Sequence, residues 1–271
     1  MADETDTEIK TEAVEPDPFH VVLDQFKLET QKQTAARDNV PLGSFRCSKC
    51  SAVKLWEESC CANAATTPDE YIDVERRKEV RRIIEIAYST IPKGLDWCRI
   101  GNADWEEKCC SAARSFAKKW TRRVGSAVLR GRTGAGKTIA SIAVLHKVLD
   151  AARDRQDIAI KDMVFAAGCT FVSAHQLAVD RRNNDLFEEA PLVNKAKRAS
   201  LLVLDEIGFE VFNPERDTSL FEVIDIRYLN ALPTILTTNL SEGNLRKKYG
   251  EALCRRMMGL GPTIPIDFDE K

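Results

Sequence analysis

Two hydrophobic patterns alternate along the second half of the chain. Ser126–Arg130, Leu201–Leu204 and Pro233–Asn239 are short and largely apolar, with the length and composition of strands buried on both faces. After the first of them, Ile139, Ile142, Ala143, Leu145, Val148 and Leu149 recur at helical spacing in a stretch free of Gly and Pro. This succession predicts an α/β domain with a parallel sheet. A last strand is expected within Gly261–Phe268. Upstream, Thr67-Pro68-Asp69-Glu70 is a capping-box-like start for a helix that carries Val80, Ile83, Ile84 and Ala87 on one face. A further amphipathic helix is expected from Ala103 to Arg123, with Trp105, Cys109, Ala112, Phe116 and Trp120 on its apolar side.

The joint between the first strand and its helix carries the chemistry. Gly131-Arg132-Thr133-Gly134-Ala135-Gly136-Lys137-Thr138 is a complete G-x-x-x-x-G-K-[ST] phosphate loop in the strand-to-helix context that gives the motif meaning. Glycines let the backbone curl so that successive N–H groups face a phosphate at the positive end of the helix. Lys137 is then placed for the β- and γ-phosphates of ATP, and the Thr138 hydroxyl for Mg²⁺. The second strand ends in Asp205-Glu206, two carboxylates at the sheet edge where α/β folds bind ligands. Asp205 is the expected Mg²⁺ partner and Glu206 the residue that polarises an attacking water. Asn239, closing the third strand, both donates and accepts, and is placed to hold that water and sense the γ-phosphate.

Composition narrows the setting. With 271 residues, 44% hydrophobic and 30% charged, the chain has the balance of an ordinary soluble globular protein. Apolar runs fall short of the roughly 18 residues of a membrane span, and the acidic N-terminus is the opposite of a signal peptide, so a cytoplasmic protein is expected. Residues 1–18 carry seven acids against one lysine with no apolar pattern, which predicts disorder. The net charge of −2 gives no global footprint of nucleic-acid binding. Local basic clusters remain at Arg114, Lys118, Lys119, Arg122 and Arg123, and at Lys195, Lys197 and Arg198.

In series, GRTGAGKT, LLVLDEIG, TILTTN and Lys248-Tyr249-Gly250-Glu251-Ala252-Leu253-Cys254-Arg255-Arg256-Met257 resemble the AAA+ ATPases of the DnaC/DnaI helicase-loader and IstB transposition-helper group, over residues 91–269. That resemblance implies a P-loop core with a five-stranded parallel sheet flanked by helices, without a C-terminal lid domain and preceded by a small N-terminal region. The expected division is an acidic tail (1–45), a partner-binding region (46–90) and the ATPase core (91–271). The group's arginine finger, which reaches the nucleotide of a neighbouring subunit, falls on Arg256; Arg255 stands where the group is often acidic, which makes it a competitor. Arg227, on the helix before the sensor strand, is either an interface arginine or a surface one.

The resemblance implies a Mg²⁺-dependent ATPase that self-associates and loads a replicative helicase onto single-stranded DNA. A transposition helper that binds duplex DNA and a transposase is the alternative, and a nucleotide-dependent scaffold with little turnover a further one. A small-molecule kinase is disfavoured by the Asp205-Glu206 pair, Asn239 and Arg256. The nine cysteines suit a reducing compartment as thiols or metal ligands. Cys47 and Cys50 form a C-x-x-C knuckle that, with Cys60 and Cys61, is a candidate Zn²⁺ site; reduced structural thiols are the other reading. Cys98, Cys109 and Cys110 read as small buried hydrophobes.

Overall fold

A computed structural model describes residues 44–46, 53–55, 68–155, 158–184, 190–209 and 218–266. The acidic tail and Cys47, Cys50, Cys60 and Cys61 lie outside them. The chain divides into two compact units, Met1–Lys78 and Glu79–Lys271. In the first, β1 (Ser44–Arg46) and β2 (Val53–Leu55) pair antiparallel, with Ser44 opposite Leu55. The division falls within helix α1 (Pro68–Tyr88), whose Pro68 stands at the start, where a missing N–H costs nothing.

The second unit holds β3 (Ala127–Arg130), β4 (Cys169–Ser173), β5 (Leu201–Ile207), β6 (Thr234–Thr238) and β7 (Thr263–Pro265). They form a five-stranded sheet in the order β4-β5-β6-β3-β7, every pair parallel. Alternate side chains leave the sheet on opposite faces, and both faces are covered. Ala127, Leu129, Leu201, Val203 and Ile235 join one buried cluster with residues of α1, α2 (Ala103–Lys108), α3 (Ser111–Lys119), α4 (Lys137–Asp154) and α5 (Ile160–Ala167). Val128, Leu202, Leu204 and Leu236 join the other, with α6 (Ala174–Asn183), α7 (Pro191–Arg198), α8 (Ser219–Leu229), α9 (Glu242–Tyr249) and α10 (Glu251–Leu260). Two-sided burial is why the strands read as continuous apolar runs. The α/β class and the five parallel strands are as expected. Among the described residues, no helix is long and apolar enough to cross a membrane.

The helix expected over 103–123 is two helices. Cys109 and Cys110 take extended backbone conformations between α2 and α3, and Arg114 Nη1 donates to the Cys109 carbonyl at 2.8 Å. Trp105, Cys109, Phe116 and Trp120 are nonetheless buried, so the apolar side was read correctly. The break carries Cys109 beneath the phosphate loop, where a β-carbon on Gly136 would lie 3.4 Å from its Sγ.

Arg227 fits neither sequence reading. It is 0% exposed and donates to the carbonyls of Ala196 (2.9 Å), Lys197 (3.3 Å), Ala199 (2.8 Å) and Pro233 (2.6 Å), and to Thr234 Oγ1 (2.8 Å). These oxygens include the unpaired carbonyls and negative dipole end of α7, so the guanidinium caps one helix from another. Burial pushes its pKa down to about 9, which leaves it charged at neutral pH. Arg227→Met strips several buried acceptors of their donor at roughly 1–3 kcal/mol each. A loss of about 3 kcal/mol or more is therefore expected in urea unfolding.

Candidate nucleotide-binding site

The phosphate loop is built from backbone requirements. Gly134 and Gly136 have φ of +83° and +94°, which a side chain would strain, and Gly136 opens α4. Gly131 is fixed by proximity instead: an added β-carbon would sit 1.6 Å from the carbonyl oxygen of Ile266, just beyond β7. Ile266 N–H in turn donates to Arg130 O at 2.7 Å, so the end of the sheet buttresses the start of the loop. Arg132, Thr133 and Gly134 are exposed, and Ala135, Gly136 and Lys137 are buried. Lys137 Nζ donates to the carbonyls of Gly131 (2.8 Å) and Arg132 (2.7 Å), which holds a positive charge inside the curl.

Facing the loop, Asp205 is 4% exposed and accepts from Thr138 Oγ1 at 2.9 and 3.1 Å through its two oxygens. Thr237 Oγ1 also donates to it, at 2.5 Å. Burial raises the Asp205 pKa above the ordinary carboxylate range; Thr237 and Thr138 pull it back by hydrogen bonding, Glu206 opposes them by like charge, and Lys137 helps them. Glu206 is exposed and has φ +59°, a left-handed backbone at a residue other than glycine. Its N–H donates to Thr237 Oγ1 at 3.0 Å.

A cleft of about 200 Å³ lies at this edge, lined by Thr133, Gly134, Gly136, Lys137, Thr138, Ile139, Glu206, Phe209, Thr237, Thr238 and Asn239. The residues fit a magnesium nucleotide: a curled cradle of N–H groups, an inserted ammonium, and a hydroxyl joined to a carboxylate for a hard cation. Of the residues expected from sequence, most of the loop, Glu206 and Asn239 share the cleft, and Asp205 stands behind Thr138. Arg256 is not among the lining residues. Its Nε lies 2.5 Å from Asp225 Oδ1 on α8, and its guanidinium sits 5.2 Å from the Phe221 ring centre. Arg255 is exposed. Sequence reading missed Thr237, Thr238 and Phe209; two threonines beside Asn239 in a fully buried strand were the available signal.

The model of the family described as "IstB-like ATP binding protein" matches residues 102–258 of the chain. The chain belongs to that family. This places the phosphate loop, the Asp205-Glu206 strand end and the helix of Arg256 within one ATP-binding family unit, in the AAA+ group of DnaC and IstB proteins. This IstB-like chain is 26% identical over 159 residues to the replicative helicase loader DnaC of Escherichia coli (strain K12), across 59% of this chain and 60% of that one. It is 21% identical over 166 residues to the DnaC of Buchnera aphidicola subsp. Schizaphis graminum (strain Sg), across 61% and 63%. The match thus spans about three fifths of the length of these curated relatives. A crystal structure of the DnaC helicase loader is similar to the IstB-like chain with TM-score 0.47 at 19% identity, over 65% of this chain and 99% of that one. A crystal structure of DnaI is similar with TM-score 0.44 at 18% identity, over 69% and 93%.

Among the described residues, no cluster of three or more His, Cys, Asp or Glu is arranged to hold a metal ion. Cys98, Cys109, Cys110, Cys169 and Cys254 are buried free thiols, and burial pushes Cys98 and Cys109 up to about 12, out of the reactive range.

The buried Asp205 sets a pH dependence. Because its folded pKa is raised, the folded chain keeps a proton that the unfolded chain has lost. Its contribution to stability is therefore full below the ordinary carboxylate range and declines as pH rises through the elevated value. A cation needs the ionised form, so the Mg²⁺ concentration that half-saturates nucleotide binding is expected to fall as pH rises across that interval. Fluorescent-nucleotide titrations at several pH values check this, with Asp205→Asn expected to weaken Mg²⁺ dependence and flatten its pH profile.

Proposed function

We propose that the protein is a Mg²⁺-dependent ATPase that loads a replicative helicase, assembling on single-stranded DNA through Arg256 acting on a neighbouring subunit. The observation that carries this reading is the division of labour at the cleft. Lys137, Thr138, Glu206 and Asn239 line it with Asp205 bonded behind Thr138, while Arg256 is directed to Asp225 and Phe221 and does not line it. Among the described residues that line it, Lys137 is the one cation, and a second is needed opposite it to offset charge that develops on phosphoryl transfer. A guanidinium from the next copy supplies it, so hydrolysis follows assembly and the nucleotide acts as a timing switch. When bound, Mg²⁺ would neutralise phosphate charge, and Thr138 and Asp205 are the residues that would hold it. Glu206 would take the proton of the water, and Asn239 would align that water.

The helicase partner is supported by the DnaC loaders that share the core, and the region of residues 46–90 is its docking module; Cys47, Cys50, Cys60 and Cys61, outside the described residues, are either zinc ligands or reduced thiols there. Of the basic clusters, Arg114 and Lys118 are engaged with Glu106, Arg122 with Asp162 and Lys197 with Glu222. Lys119, Arg123, Lys195 and Arg198 are exposed, and one modest patch per subunit, repeated along an assembly, forms a track for the strand.

ATP turnover measured at several protein concentrations, with no DNA, single-stranded DNA or duplex DNA, tests the reading. Steep concentration dependence with stimulation by single strands is expected. The family match to IstB-like proteins favours a second reading, a transposition helper, and preference for duplex would establish it instead. Turnover unchanged by Glu206→Gln would leave a nucleotide-dependent scaffold.

A further inference from the structure

Strands β5 and β6 run in register from Leu202 opposite Thr234 to Leu204 opposite Leu236, and resume with Ile207 opposite Thr238. Asp205 and Glu206 are thus two residues facing one, Thr237. This is a β-bulge, which removes a residue from the ladder and re-aims its side chain. The Glu206 N–H, displaced in this way, needs another acceptor, and its φ of +59° must be held by something outside the local backbone.

Thr237 meets both needs with one oxygen. Its hydroxyl accepts from Glu206 N–H at 3.0 Å and spends its only proton on Asp205 Oδ1 at 2.5 Å, and the residue is 1% exposed. Those opposite roles fix the hydroxyl rotor. Thr138 closes the chain from the far side by donating to Asp205 at 2.9 Å. The neighbouring Thr238 braces the same bulge, donating to Ile207 O at 2.7 Å and accepting from Leu240 N–H at 3.1 Å.

We propose that Thr237 is a positioning residue: its hydroxyl ties the cation-side carboxylate of Asp205 to the backbone of Glu206, and so fixes where the Glu206 carboxylate points into the cleft. This rests on Glu206 being the water-activating residue. A merely space-filling threonine would be replaced by valine without loss, since Ile235 and Leu236 in the same strand are apolar and equally buried.

The experiment compares the native chain with Thr237→Val, Thr237→Ser and Glu206→Gln. Expected for Thr237→Val is a fall in kcat of about tenfold or more, with KM for ATP at saturating Mg²⁺ within about threefold of native. Thr237→Ser, which keeps the hydroxyl, restores most of the rate. A second readout needs no catalysis: amide hydrogen exchange at Glu206 becomes faster in Thr237→Val and stays near native in Thr237→Ser. Binding of a fluorescent ADP analogue shows whether Thr237→Val is folded; if it is not, Thr237→Ala is read in the same way. A smaller fall in kcat, or a Thr237→Ser as slow as Thr237→Val, overturns the proposal. If Glu206→Gln leaves turnover unchanged, the functional reading fails instead, and the exchange data alone decide whether Thr237 holds the bulge.

Discussion

Lys137→Ala is expected to weaken ATP binding by at least about a hundredfold, close to 2.7 kcal/mol, and to abolish measurable turnover. Two effects add. Among the described residues lining the cleft, the ammonium is the only lysine or arginine charge, and it would face the negative charges of bound phosphates. It also holds the loop: Nζ bridges the Gly131 and Arg132 carbonyls, so its removal loosens the curl that aims the N–H groups. Lys137→Met keeps the buried stem and loses the ammonium together with its two loop hydrogen bonds. It should therefore bind nearly as poorly as the alanine variant while unfolding closer to native. Isothermal titration with ATP and ADP measures the first quantity, and a urea melt the second.

Arg256→Ala is expected to lower turnover by about a thousandfold while nucleotide affinity changes little, as when a trans-acting arginine is removed. In the isolated chain this arginine leans on Asp225 and stacks over Phe221, with both ion-pair partners about a quarter exposed. Such a partly solvated pair is worth about 0–1 kcal/mol, so on the proposed trans arrangement a neighbouring nucleotide would draw the guanidinium away at little cost. Mixing experiments distinguish this role from local damage. An Arg256→Ala chain with an intact cleft, added to a Lys137→Ala chain with an intact finger, should recover activity that neither has alone. A fully active Arg256→Ala chain at high dilution would rule the model out.

The core was legible in the sequence because both sheet faces are covered: continuous apolar runs such as Leu201–Leu204 could hardly be anything but interior strands. The phosphate loop was legible because two of its glycines, Gly134 and Gly136, have no good substitute at φ near +90°, and Gly131 has no room for a side chain. What escaped shares a different character. Arg227 was read as an interface or a surface arginine, but its partners include carbonyls of another helix, and no periodicity within α8 announces them. The break at Cys109–Cys110 carries neither Gly nor Pro; what marks it is tertiary, the packing of Cys109 beneath Gly136 and the Arg114 bond to its carbonyl. Thr237 passed as an ordinary strand former because threonine favours strands whether or not its hydroxyl is needed. Its role depends on a bulge in the neighbouring strand, which a linear pattern does not register.

The close approach of Ile266 to Gly131 has a practical side. Glycine at 131 leaves no slack between the opening of the phosphate loop and the chain just past β7, so the carboxyl end of the core is mechanically part of the nucleotide pocket. Removing Ile266 and its backbone bond to Arg130 is therefore expected to loosen the opening of the loop and lower nucleotide affinity even when every motif residue is intact.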